Sequence, residues 1–509
     1  MTVAENTSKT YSWLITFLIY DNAWYDKEHK NEQPGYISLE VQKNALYASI
    51  NSLEIHEKIK VVFIEAKINV PEKVLEIWVR SKTTNTFEAE RIENPAGVLA
   101  MSNNDSLSNI LKPIIDGNSA DRHILVTVGH GSIFGINLYS EKDDTQLPPG
   151  TFTQLASQDP KIELTPELLK KFEKDKELAN LLPVTLTRKL NIASQIDKIF
   201  YIANHKDFEI AVPELNLTVL TVKEISTAFK SVFNDIILDI LVLDNCLMQN
   251  LFTQFELCET VNYLVAAQSG ISYPGFNYAA IIEKICTDIT IDAGILANEF
   301  VNEQVIRGHP EYELFKLHIE SSWCLNTVCL DKDIYKRIKQ EFIDFFELLN
   351  TLIGSPENKI KQEIYQIIKS TNDQLFGYNA VSLPTIKIID LHVFLIFFKE
   401  IVGANFILAN YKEKLLLKAD NLKAALSKIS VKSFVGKGFY PENNYYKDED
   451  NTNSIGFGFM LPVKPTGTKL IDRLYEKKGD IAYCPQFLHN SEYFNFINHL
   501  WEMSPPGHH

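Results

Sequence analysis

The stretch Leu238–Met248, LDILVLDNCLM, is apolar on almost every position up to Asp244 and then turns polar and reactive. Apolar residues on successive positions describe a strand buried on both faces, as in a parallel sheet with helices on each side. Similar runs recur at Trp13–Tyr20 (WLITFLIY), Val61–Ala66, Leu75–Arg80, Ile124–Val128 (ILVTV), Lys198–Ala203 and Tyr263–Ala267. Between them, Ile37–Ile55, Ser106–Asp116, Val222–Phe233 and Gln249–Glu259 carry apolar residues at helical spacing. This rhythm predicts an α/β sandwich over residues 1–290, interrupted at 140–194 by a charged, proline-containing insertion. Residues 291–509 change character. Helical patterns at Ile334–Ile353, Ile360–Ile368 and Leu391–Ile401 predict a mainly helical domain that returns to the sheet near Ser454–Leu461 and closes on a helix at Glu492–Glu502.

The totals narrow the classes of function. The 509 residues exceed what one core usually holds, and 45% apolar with 23% charged is a globular balance. A formal charge of -15, from 65 acidic and 50 basic residues, repels polyanions; nucleic acid is not expected as a partner, and cationic peptides fit better. The six cysteines form no CxxC pair and share no zinc-ligand spacing with histidine, so no metal or other cofactor is expected. Met1–Ser12 lacks a signal-peptide pattern, and no uncharged apolar run is long enough for a bilayer. No membrane partner and a cytoplasmic location are the expectations.

Cys246 follows the carboxyl end of a buried strand and precedes a helical segment, where a helix N-terminus favours thiolate, the nucleophilic form. The position equally suits an inert buried thiol. Gly129-His130-Gly131-Ser132 also follows an apolar strand, with glycines that let the backbone turn beside an imidazole. A histidine at the same sheet edge can hold a thiolate as an ion pair and protonate a leaving amine. The amides of Gly131 and Cys246 would then face the developing oxyanion. A histidine in a strand-ending turn is the bland alternative. His123 opens its strand, His205 lies in a charged loop, and His318, His392 and His499 sit in helical patterns, so all read as structural or surface residues. Ser132 lacks the G-x-S-x-G setting, and there is no Walker loop or HExxH.

Together VGHGSIFG and LDNCLM resemble the clostripain family of cysteine peptidases, whose members show N-H-G-x-G and then D-A-C-L-M. Looser likenesses are Trp13–Asn22, Ala266–Tyr278 (AAQSGISYPGFNY), Ser322–Leu330 and Gly456–Pro462. The resemblance implies a caspase-like α/β/α sandwich with a mostly parallel central sheet. It implies His130 as acid and base, Cys246 as nucleophile, and cleavage of proteins or peptides after arginine or lysine. Asp244 matches an aspartate that helps form the acidic primary pocket; capping local amides is its competing reading. Family members are often zymogens cut between the His and Cys elements. The basic residues Lys170, Lys171, Lys174, Lys176, Arg188 and Lys189 are candidate cut points, and the resemblance leaves calcium dependence open. Departures are Gln268 for the usual glutamate and Ala279 where some members carry an acidic residue, which imply an altered pocket, and the 116-residue step from His130 to Cys246. They suggest a regulated intracellular variant with a dedicated protein partner. Cleavage after Asp or Asn, and a non-catalytic partner-binding scaffold, are the rival readings.

Overall fold

A computed structural model describes residues 11–21, 46–69, 74–83, 86–92, 104–129, 131–132, 135–140, 217–234, 236–245, 247–268, 271, 276–302, 324–375, 378–379, 387–435, 456–461 and 492–503. The insertion, apart from Ser140, lies outside them, as does the strand expected at 198–203.

The strands in chain order are β1 (Tyr11–Asp21), β2 (Ile59–Asn69), β3 (Val74–Thr83), β4 (Thr86–Ile92), β5 (Ala120–Val128), β6 (Gly131–Ser132), β7 (Gly135–Ser140) and β8 (Leu217–Thr221). They continue with β9 (Leu238–Asp244), β10 (Val261–Ala267), β11 (Cys324–Cys329), β12 (Tyr378–Asn379), β13 (Lys387–Asp390), β14 (Val431–Val435) and β15 (Gly458–Met460). The helices are α1 (Asn104–Gly117), α2 (Val222–Phe233), α3 (Leu251–Leu257), α4 (Tyr278–Thr287) and α5 (Ala293–Asn302). The C-terminal half adds α6 (Lys332–Ile353), α7 (Asn358–Gln374), α8 (Leu391–Ala404), α9 (Lys412–Leu426) and α10 (Glu492–Met503).

Nine strands form the main sheet in the order β14-β11-β10-β9-β5-β1-β2-β3-β4. The five central strands, β10 to β2, are parallel, while the flanks β3–β4 and β11–β14 pair antiparallel. The sandwich is as expected, but its parallel character is confined to the centre. Asn69 to Val74 and Thr83 to Thr86 are hairpin-length connections, which can join only antiparallel neighbours.

Both faces of the central strands are dry, which explains their unbroken apolar runs. Trp13, Ile15, Phe17 and Ile19 of β1 share one core with Ile240 and Val242 of β9, under α4 and α5. Leu14 and Leu18 share the opposite core with Leu241 and Leu243, under α1, α2 and α6. Residues 291–509 supply α6–α10 and also place β11 and β14 in the main sheet. Among the described residues no helix is long and apolar enough to cross a membrane.

One buried cation braces this frame. Lys82 of β3 is fully buried and its Nζ donates to the carbonyls of Ile50, Asn51 and Leu53 at 3.1, 2.7 and 2.9 Å. Those carbonyls close the helical segment 46–51, whose end is negative, so the ammonium sits where charge favours it. Burial nevertheless lowers its pKa.

Phe17 joins the sheet centre to the helical layer: its ring stacks on Phe63 at 4.8 Å and meets Tyr278 edge-on at 5.1 Å. Phe17→Ala is therefore expected to destabilise the chain by ~3–5 kcal/mol. Denaturant unfolding checks this; a loss below ~1 kcal/mol would contradict the packing described.

Candidate active site

Strands β5 and β9 are parallel neighbours and end together, with Val128 opposite Asp244 in the register. Gly129 extends the ladder by one rung, donating its N–H to the Asp244 carbonyl at 3.4 Å. Its φ of 154° is one that L side chains rarely adopt, so glycine suits this exit from the strand. His130 and Cys246 each lie two positions beyond this matched pair, and both fall outside the described residues. Gly131 opens β6 and pairs with Ile136 of β7.

The turn after Cys246 is tightly held. Leu247 has φ 65°, in the left-handed region, which costs a leucine about 1–2 kcal/mol. Its side chain is buried, which opposes that cost. Asn250 secures the far end: its Nδ2 donates to the Leu247 carbonyl at 3.1 Å and its Oδ1 accepts from Thr253 N at 2.9 Å, capping α3. Gln249 N donates to the Ala267 carbonyl at 2.8 Å, which ties the turn to the end of β10.

Asp244 is half-buried, and its Oδ2 accepts the hydroxyl of buried Tyr278 at 2.7 Å. The Phe276 N–H also donates to this carboxyl. Burial pushes its pKa up to about 7, more than those two donors can offset. The carboxylate raises the Tyr278 pKa in turn, after burial itself. Through Tyr278 and Phe276 the carboxyl is tied to the start of α4, in keeping with the reading that it caps local groups.

Gln268, the departure from glutamate, faces a second buried carboxylate. Its Nε2 donates to Asp390 Oδ2 at 3.1 Å, and its Oε1 accepts from Cys324 Sγ at 3.5 Å. Asp390 also accepts from the N–H groups of Gly456 and Phe457 at 2.9 and 3.0 Å, and from His392 and Val393 at the start of α8. A glutamate at 268 would set two carboxylates together at that point, so the amide belongs to a structural junction.

Three of the other described histidines are packed within the fold. His123 is buried edge-on against Phe233, with its pKa lowered by burial. His392 is buried in α8, and His499 Nδ1 lies 2.6 Å from Asn350 Oδ1. His205 and His318 lie outside the described residues. Among the described residues no group of three or more His, Cys, Asp or Glu could hold a metal ion.

Sequence reasoning passed over Thr127 and Asn245. Both are buried, and the Thr127 hydroxyl donates to Asn245 Oδ1 at 2.5 Å, linking the ends of β5 and β9. The available signal was a lone threonine in the apolar end of β5 and an asparagine directly after β9.

Residues 204–312 match the model of the clostripain family. No curated protein matches the chain. Among solved structures, an inactive zymogen of a C11 protease from Parabacteroides distasonis is 10% identical with TM-score 0.42, over 90% of this chain and 91% of that one. A secreted C11 cysteine protease from Bacteroides thetaiotaomicron, solved with an irreversible peptide inhibitor, is 10% identical with TM-score 0.42, over 89% and 90%. A cysteine protease of B. fragilis is 14% identical with TM-score 0.28, over 48% and 80%.

Asp244 gives a stability signature. Its folded pKa, about 7, lies above its ordinary value of 3.8, so the folded chain holds a proton that the unfolded chain releases. Stability from this group therefore falls as pH rises from about 4 through about 7. Asp244→Asn is expected to remove that slope, so its advantage over wild type grows with pH across the window. A difference in melting temperature that is constant with pH would contradict this.

Proposed function

We propose that the chain, whose residues 204–312 match the model of the clostripain family, is a cysteine endopeptidase cleaving after arginine or lysine through His130 and Cys246. The observation that carries this reading is the register of β5 and β9, with the two motif residues equally spaced beyond Val128 and Asp244. Strands 4.7–4.9 Å apart bring such positions to one edge of the sheet.

In this reading the Cys246 thiolate attacks the scissile carbonyl, and the negative charge moves to its oxygen. The amides of Gly131 and Cys246 donate to that oxyanion. Collapse of the intermediate breaks the C–N bond as His130 protonates the leaving amine, which leaves a thioester on Cys246. His130 then takes a proton from water, whose oxygen attacks the thioester, and the thiolate is released. Asp244 receives the substrate cation. An arginine or lysine side chain favours its ionised form, and the charge-assisted bond compensates the burial that otherwise raises its pKa. An acidic side chain at that position would be repelled.

Regulation by cleavage within the insertion belongs to the same reading. β7 and β8 flank residues 141–216, and Ser140 pairs with Leu217, so the ends of that stretch lie side by side. Since β5 pairs with β9 across the same division, a chain cut there remains one folded unit. A dedicated protein partner and a cytoplasmic location complete the proposal.

The test is cleavage of a peptide library by wild type beside Cys246→Ala. Wild type is expected to cut after arginine and lysine, and the variant to lose at least ~10⁴-fold in kcat while keeping its unfolding transition. Turnover that survives in the variant would sink the dyad, and preference for Asp or Asn would sink the basic specificity. Active preparations are expected to yield fragments ending at a basic residue of 170–189 that elute together on native size exclusion and separate in denaturant. Mass spectrometry finding uncut chain alone, or fragments that separate natively, would refute this.

A further inference from the structure

We propose that the Thr127–Asn245 hydrogen bond positions the chain leaving β9 toward Cys246 against the end of β5 that leads to His130, a role that rests on the dyad reading above. Thr127 is the penultimate residue of β5, and Asn245 is the first residue past β9. Their exposures are 2% and 1%, and the hydroxyl donates to the amide oxygen at 2.5 Å.

Three features make this more than a packing contact. It lies at the last rungs of the ladder, where Thr127 opposes Leu243 and Val128 opposes Asp244, so it holds the two strands together where regular pairing runs out. It sits one residue before Cys246, and one residue after Cys246 the chain adopts the strained left-handed turn at Leu247. Asn245 and Asn250 thereby pin the turn from both ends. Finally, both partners are polar groups in a buried setting. In a low-dielectric interior a hydrogen bond between such groups is costly to break. A dyad whose members follow separate strands needs their separation held to a fraction of an ångström, and this bond supplies a direct side-chain link between the ends of those strands.

The experiment uses the chain's own thiols as reporters. Iodoacetamide labelling of the intact folded chain is followed residue by residue by mass spectrometry. Half-exposed Cys286 serves as the reference, and buried Cys258 and Cys324 report loosening of the fold. In wild type Cys246 is expected to label faster than Cys286, as an activated thiolate does. Thr127→Val is expected to slow Cys246 about tenfold without changing the other three, and Thr127→Ser to restore it. Asn245→Ala, which truncates the other partner, should slow Cys246 in the same way. Unchanged labelling of Cys246 in both truncated variants overturns the proposal. So does slowing that serine does not reverse, or that comes with exposure of Cys258 and Cys324. If Cys246 labels no faster than Cys286 in wild type, the dyad itself fails and the positioning role falls with it.

Discussion

Everything at the candidate site depends on two parallel strands ending at the same level. β5 and β9 are hydrogen-bonded neighbours, and their shared register puts Val128 beside Asp244. Parallel strands hold register when side chains on both faces are buried, since a one-residue slip would turn each side chain to the opposite core. Here Ile124 and Val126 of β5 belong to one core with Ile240 and Val242, while Leu125 belongs to the other with Leu241 and Leu243. The hydrophobic effect thus sets the alignment of two segments that are more than a hundred residues apart in sequence.

Around that edge, a few buried polar groups decide how the layers join. Asp390 gathers backbone donors from α8 and from residues 456–457, plus the Gln268 amide beyond β10. It links the C-terminal helical layer to the same carboxyl edge that carries the candidate site. Lys82 performs a comparable task at the far side of the sheet with three carbonyls. Asp244 differs. Among the described residues its donors are a tyrosine hydroxyl and one backbone N–H, and burial outweighs them.

The sequence was most legible where periodicity is strong. β1, β5, β9 and β10 and helices α2, α6 and α8 fall within a few residues of the expected spans, because a doubly buried strand and an amphipathic helix both write their burial into residue order. The antiparallel flanks were less legible. β4 and β14 are short edge strands whose residues show little of the apolar continuity of the centre. Among candidate residues, Asp244 and Gly131 could be named from motif position. Gln268 was read as an altered pocket, and the structure turns it instead toward Asp390, over a hundred residues away.

By itself the sequence determined an α/β sandwich with reactive residues after two of its strands, and it marked Asp244, Gly131, His130 and Cys246 as the positions to examine. It did so because burial and turn chemistry are local properties of residue order. The tertiary structure alone decided that β5 and β9 are neighbours in matched register, that Tyr278 and burial together poise Asp244, and that Thr127 meets Asn245. Those facts depend on contacts between residues distant along the chain, formed in an interior where water no longer screens or satisfies polar groups.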